Sequence, residues 1–313
     1  MPAQRKHAAL AAIAAAFGLL SSPGARAADE PGKAFVDQAL TITEPRYLLS
    51  FTRYCTMESN NTANGHGQPA TPSKLFDNLY YVGRTDVGAW VVKTSGGLVL
   101  IDTLYNAEDA KDVVEGGMRN LGLDPAQIKL VILTHFHPDH SGGMPYFRSK
   151  GIKVMVSEAD WKPLGGVPGP DAVLRDGQVI TVGDTPITIA LTPGHTPGTI
   201  TAIFPVFDKG QRHMAALTGG IGPRGGLDIH KVTLNSLEHL REVGAKQKVD
   251  VYIDPHEALI DSDAWGWIMN PASRKAGVNP LIVGQAKFQQ FTRMVTACMN
   301  YRVAEYEKPP AAK

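Results

Sequence analysis

The spacing of apolar residues changes repeatedly between a helical period and a strand period along the chain, and each change marks an element. Residues 37–54 carry apolar positions at helical spacing, and residues 58–72, rich in Asn, Gly, Thr and Pro, predict a loop. Strand-like runs follow at 79–83, 89–94 and 97–102, with Gly96-Gly97 marking a hairpin turn, which together predict a meander. Ala110, Val113, Val114, Met118 and Leu121 share one face of a helix over 107–121, which leads into an apolar strand at 130–134. That order predicts a parallel β-α-β crossing.

The second half repeats the theme. Strands are predicted at 152–157, 179–182, 187–191, 199–204 and 213–217, then a helix at 232–243 and a last strand at 250–253. After Pro271 a polar stretch leads to a helix at 286–301 and a frayed tail at 308–313. Strands dominate and helices occur singly between them, so the fold class is α/β, with two mixed sheets face to face and helices outside. The organisation expected is an N-terminal extension at 28–74, a core at 75–260, and a C-terminal loop and helix at 261–313 packed on the core.

Residues 1–27 stand apart from this pattern. Arg5, Lys6 and His7 precede an Ala/Leu/Ile run over 8–20, and Pro23-Gly-Ala25-Arg-Ala27 offers a small-x-small cleavage site, the grammar of a secretory signal peptide. The run is too short to span a bilayer. The mature chain is therefore expected in a periplasm or outside the cell, with no membrane association after cleavage; a retained interfacial anchor is the alternative. Lysine plus arginine number 31 against 30 aspartate plus glutamate, a net charge of +1, with no basic stripe interleaved with aromatics. Nucleic acid is thereby disfavoured as a partner, and a small molecule favoured. Cys55 and Cys298 lie near opposite ends of the mature chain; an oxidising compartment would allow a disulfide, but sequence does not place their Cα atoms within reach.

The segment Lys129-Leu-Val-Ile-Leu-Thr-His135-Phe-His137-Pro-Asp139-His140 concentrates the chemistry. An apolar run ends in three histidines and an aspartate, each of which needs a partner once water is removed, and a metal ion serves all of them. Histidines at i and i+2 on an extended segment point to one side, so His135 and His137 can grip one ion, while Asp139 and His140, past the bend at Pro138, face another. Nitrogen ligands with one carboxylate and no cysteine nearby favour Zn(II), with iron or manganese as the alternatives. Two later segments have the same strand-end grammar: Thr192-Pro-Gly-His195-Thr-Pro-Gly and Ile253-Asp-Pro-His256-Glu. His195 is the candidate third ligand of the first ion and His256 of the second, with Asp254 or Glu257 as rivals.

These motifs, with the strand ending Val99-Leu-Ile-Asp102, resemble the metallo-β-lactamase superfamily over residues 75–257. The resemblance implies a four-layer αβ/βα sandwich binding two Zn(II) ions per chain. His135, His137 and His195 resemble its three-histidine site; Asp139, His140 and His256 resemble the second site of the third metallo-β-lactamase subclass. Asp102 resembles the aspartate that orients the site from behind, and Asp139 the residue that also orients the nucleophile.

One departure separates branches of the superfamily. In glyoxalase-type and lactonase-type relatives an aspartate bridges the metals from a Thr-Gly-Asp-like strand end, whereas this chain reads Thr218-Gly219-Gly220. The function implied is hydrolysis of the β-lactam amide by metal-bound hydroxide. The alternatives are a lactonase or a thioester or phosphoester hydrolase of the same fold, and, in another class, a non-catalytic metal-binding or iron redox protein. Asp228 and His230 are possible substitute ligands. Arg224 is a candidate clamp for a substrate carboxylate, and Gly220 lies in the same substrate-binding loop region.

Overall fold

The computed structural model describes residues 32–55, 66–169, 172–275 and 277–308. The expected leader at 1–27, residues 58–65 of the expected loop and residues 309–313 of the expected tail lie outside the described residues.

Seven strands form the first sheet in chain order: β1 Ser73–Lys74, β2 Leu79–Tyr81, β3 Trp90–Thr94, β4 Gly97–Ile101, β5 Ile128–Ile132, β6 Lys153–Ser157 and β7 Val173–Leu174. Pairing is antiparallel from β1 to β4 and parallel from β4 to β7. Five strands, β8 Val179–Val182, β9 Thr185–Leu191, β10 Ile200–Asp208, β11 Gln211–Thr218 and β12 Val251–Ile253, form the second in the order β12-β11-β10-β9-β8. Only its β11/β12 pair is parallel.

The period-2 alternation of the strands decides the layering. On β5, Leu130 and Ile132 join the core between the sheets with Ile189, Ala202 and Leu217. Val131 and Leu133 face the other way, onto Val114, Met118 and Phe147 of the helical layer. The second sheet does the same: Ile203, Ala216 and Tyr252 pack beneath helices Lys33–Ile42, Leu227–Gln247 and Gln285–Tyr306 through Val36, Leu240, Phe288 and Phe291. The result is a four-layer αβ/βα sandwich. Cys55 and Cys298 form a disulfide, which resolves the alternative that sequence left open and joins the two terminal segments on this outer layer. Among the described residues no helix is long and apolar enough to cross a membrane.

Several elements differ from their sequence-based expectation. The single helix expected at 37–54 is two, Lys33–Ile42 and Leu48–Cys55, separated by a 3-10 turn at Pro45–Tyr47. Pro45 cannot donate to a preceding turn, so a new one starts there. The helix expected at 107–121 begins as a π-helix, Asp109–Glu115, before the α-helix Gly116–Asn120. Ala110, Val114 and Met118, four residues apart, stay buried through the change. The helix Ser262–Met269, not expected, is started by Asp261, whose carboxylate accepts from the backbone N–H groups of Asp263 and Ala264 at 3.0 Å.

Candidate metal centre

His135, His137, Asp139, His140, His195 and His256 all follow the carboxyl ends of strands. Backbone N–H and hydroxyl of Thr134, just past β5, both donate to Asp102 at 2.8 Å, which fixes the exit of the strand. Pro138 then opens a one-turn helix, Pro138–Ser141, with His137 at its N-cap. The bend leaves His135 and His137 on the extended part and Asp139 and His140 on the helix. His195 stands in the turn between β9 and β10, and His256 follows β12.

His135, His137 and His195 form one set of ligand atoms, all within 4.8 Å of one another. Nδ1 of His195 donates to the Gly222 carbonyl at 2.9 Å, so its Nε2 carries a lone pair, and that atom lies 3.1 Å from Nδ1 of His137. Nε2 of the fully buried His135 has no hydrogen-bond partner among the described residues. Burial holds His135 and His195 well below the ordinary histidine range, and burial together with the nearby Arg224 guanidinium pushes His137 down to about 4. The rings are thus neutral, the form that ligates metal.

Asp139, His140 and His256 form the second set. Oδ2 of Asp139 is 3.3 Å from Nε2 of each histidine, and the two Nε2 atoms are 3.2 Å apart. Tetrahedral ligation at about 2.0–2.1 Å places ligand atoms about 3.3–3.4 Å from one another, so this triangle has the dimensions of a zinc site. Each ring is oriented from behind: Nδ1 of His140 meets Asp102 at 2.8 Å and Nδ1 of His256 donates to the Asp86 carbonyl at 2.7 Å. Burial would lower His140, but Asp139 and Asp102 outweigh it and raise it to about 10. Burial would raise Asp139, but His140 and His256 hold it well below the carboxylate range. Negative potential therefore converges on the point that a cation would occupy. The orphaned nitrogen of the first set and the triangle of the second both fit divalent zinc.

Other candidates fall outside these sets. Asp254 accepts from the Thr218 hydroxyl at 3.0 Å and from the His256 backbone N–H at 2.9 Å. Glu257 accepts from the Asp254 N–H at 2.8 Å, and burial raises it well above the usual range. Both carboxylates are engaged behind the ligands. His230 sits on the helix Leu227–Gln247, bonded to the Gly226 carbonyl and packed beside Tyr306, and neither it nor Asp228 belongs to either set. Gly220 lies under the His195 ring with φ of +97°, where a Cβ would be 3.4 Å from His195 Cγ. It lines a recess of about 10 Å³ with Thr192, Pro193 and Ile221. Arg224 is exposed, its N–H bonded to the Gly194 carbonyl at 3.2 Å, and its charge bears on both His137 and His195.

Sequence reasoning found the support Asp102 but missed two others, Asp86 and Asp160. Asp86, whose carbonyl orients His256, accepts a hydrogen bond from the Tyr105 hydroxyl, and His66 stacks on Tyr105 at 3.8 Å. Asp160 is fully buried against the first ligand loop. Its one visible signal is position, three residues past the end of β6, the placement that also marks the ligands.

Residues 82–206 match the model of the metallo-β-lactamase superfamily. A hydroxyacylglutathione hydrolase of Acidiphilium cryptum is 32% identical over 117 residues, covering 37% of this chain and 44% of that protein. An N-acyl homoserine lactonase of Agrobacterium fabrum is 32% identical over 98 residues, covering 26% and 37%. The chain thus spans less than half the length of these curated relatives. The crystal structure of BJP-1, a subclass B3 metallo-β-lactamase of Bradyrhizobium japonicum, superposes with a TM-score of 0.58 at 26% identity, covering 72% of this chain and 90% of that one. The family match over residues 82–206, the sandwich and the order of its ligand-bearing strand ends make the chain similar to the metallo-β-lactamase superfamily in fold and in the layout of its metal ligands.

Proposed function

We propose that this protein is an exported zinc-dependent hydrolase that opens the β-lactam amide. The observation that carries the reading is the pairing of a three-histidine set with an Asp-His-His set, with no carboxylate at Gly220 to bridge them. That absence is built into the backbone. At φ of +97° a side-chain-bearing residue is strained, and its Cβ would face the His195 ring. The likeness to a subclass B3 enzyme supports the same choice. The Cys55–Cys298 disulfide and the signal-like residues 1–27 support export to a periplasm or beyond the cell.

Zinc, when bound at the two sets, supplies a water of lowered pKa and polarises a carbonyl oxygen. The chain does the rest. Asp102 and the Asp86 carbonyl hold His140 and His256 with Nε2 turned inward. The Asp139 carboxylate, held ionised by its two histidines, is placed to accept a hydrogen bond from an attacking water and fix its direction. The Arg224 guanidinium, on the His137 and His195 side, offers a planar fork for a substrate carboxylate.

A second reading, hydrolysis of a thioester or lactone, draws on the 32% local identity to the hydroxyacylglutathione hydrolase and the lactonase. Parallel assays of a carbapenem, an acyl lactone and a glutathione thioester, with and without chelator, decide between them. Chelator-sensitive carbapenem turnover exceeding both others supports the proposal; lactone or thioester turnover well above it would overturn the ordering.

A further inference from the structure

Asp160 is completely buried, at 0% exposure, and among the described residues no charged group pairs with it. Its carboxylate is satisfied instead by three donors from two loops. Oδ2 accepts from the backbone N–H of Phe136 at 2.9 Å and from the Thr196 hydroxyl at 2.7 Å, and Oδ1 accepts from the N–H of Gly198 at 2.8 Å. Phe136 separates His135 from His137, and Thr196 follows His195. One carboxylate therefore ties together the two loops that carry all three nitrogens of the first set, from a third element, the helix Glu158–Trp161. Gly198 allows the approach: a Cβ there would lie 1.9 Å from the Ser157 hydroxyl and 2.6 Å from Asp160 Oδ1. Thr199 completes the clasp, its hydroxyl accepting from the Thr196 N–H at 2.8 Å.

The three-histidine set needs such a tie because its loops come from different sheets. His135 and His137 leave β5 of the first, and His195 leaves β9 of the second. The second set has its own brace in Asp102, which holds Thr134 and His140. We infer that Asp160 is a positioning residue for the three-histidine metal set, acting through Phe136 and Thr196 to fix the spacing of His135, His137 and His195. The inference rests on the metal-centre reading above, though not on the identity of the substrate.

Zinc affinity of the full mature chain, measured by competition with a chromophoric chelator, tests it in two backgrounds. His256→Ala leaves the first set whole, and His195→Ala leaves the second. Asp160→Ala is expected to weaken zinc about 10–100-fold in the first background, the usual effect of losing a partner behind a ligand, and to change it less than about threefold in the second. Asp160→Asn, which retains an accepting oxygen, should fall between. Should Asp160→Ala fail to fold, Thr196→Val removes one hydroxyl at nearly constant volume and should give a smaller loss confined to the first background. Equal losses in both backgrounds, or no loss in the first, would overturn the role of Asp160 while leaving the metal centre standing. A His256→Ala chain that binds no zinc at all would overturn the metal-centre reading, and this inference with it.

Discussion

Asp102 and His140, both fully buried, meet through a carboxylate oxygen and Nδ1 at 2.8 Å. The same carboxylate accepts from the backbone N–H and the hydroxyl of Thr134, so the exit of β5 and the ring plane of a second-set ligand are fixed together. Asp102→Ala leaves three buried polar atoms without their partner. It should weaken the second zinc about 10–100-fold and lower stability by about 1–3 kcal/mol, read by chelator competition and urea unfolding. Unchanged affinity would show that His140 needs no such support.

Gly220→Asp is expected not to create a bridging ligand. The left-handed backbone costs a non-glycine residue about 1–3 kcal/mol, and the new side chain would start against the His195 ring. Lower unfolding midpoints with no rise in lactone or thioester turnover are the expected outcome. A gain in either activity would mean that the loop refolds around the carboxylate.

Arg224→Gln should raise KM for carboxylate-bearing substrates about tenfold while kcat changes little, because a charge-assisted contact of about 1.5–3 kcal/mol is lost on binding. Steady-state kinetics on a β-lactam and on its methyl ester check this, and the ester should be insensitive to the substitution.

Stability should fall at alkaline pH. Burial raises Tyr54, Tyr81 and Tyr252 above the usual phenol range, and Tyr47 likewise. A raised folded pKa means that the unfolded chain gives up these protons first. The stabilisation is complete below the unfolded value, about 10, and is lost as pH climbs from there through the folded values. Urea unfolding at pH 8, 9, 10 and 11 should give a free energy that already declines from pH 8, as His140 loses the proton that its raised value of about 10 retains, and that declines more steeply above about 10, where the buried phenols add their share.

The disulfide closes a separation of 243 residues, so its loss should lower stability by about 2–5 kcal/mol. Cys298→Ser measured against the oxidised parent tests this. A midpoint that does not move would mean that helix packing alone holds the terminal segments.

The sequence disclosed those parts of the molecule whose physics is local. Three histidines and an aspartate crowded at the end of an apolar strand have few outlets other than a metal, and the His195 and His256 turns repeat that grammar. Strand alternation likewise revealed both sheets apart from the two-residue strands Ser73–Lys74 and Val173–Leu174, too short to show a period. What escaped depends on contacts distant along the chain. Asp160 reads as an ordinary helix-start acid until Phe136 and Thr196 are seen against it. Asp86 orients His256 with a backbone carbonyl, which carries no residue-type signal at all. The π-helix at Asp109–Glu115 hides because a four-residue apolar spacing suits both helix types.

The most direct test of the central claim, two ligand sets acting as one hydrolytic centre, is carbapenem turnover followed while zinc is titrated into metal-free protein. Turnover that is absent at the start and saturates at two ions per chain, one for each set, is the expected result. Saturation at a single ion, or turnover indifferent to zinc, would contradict it.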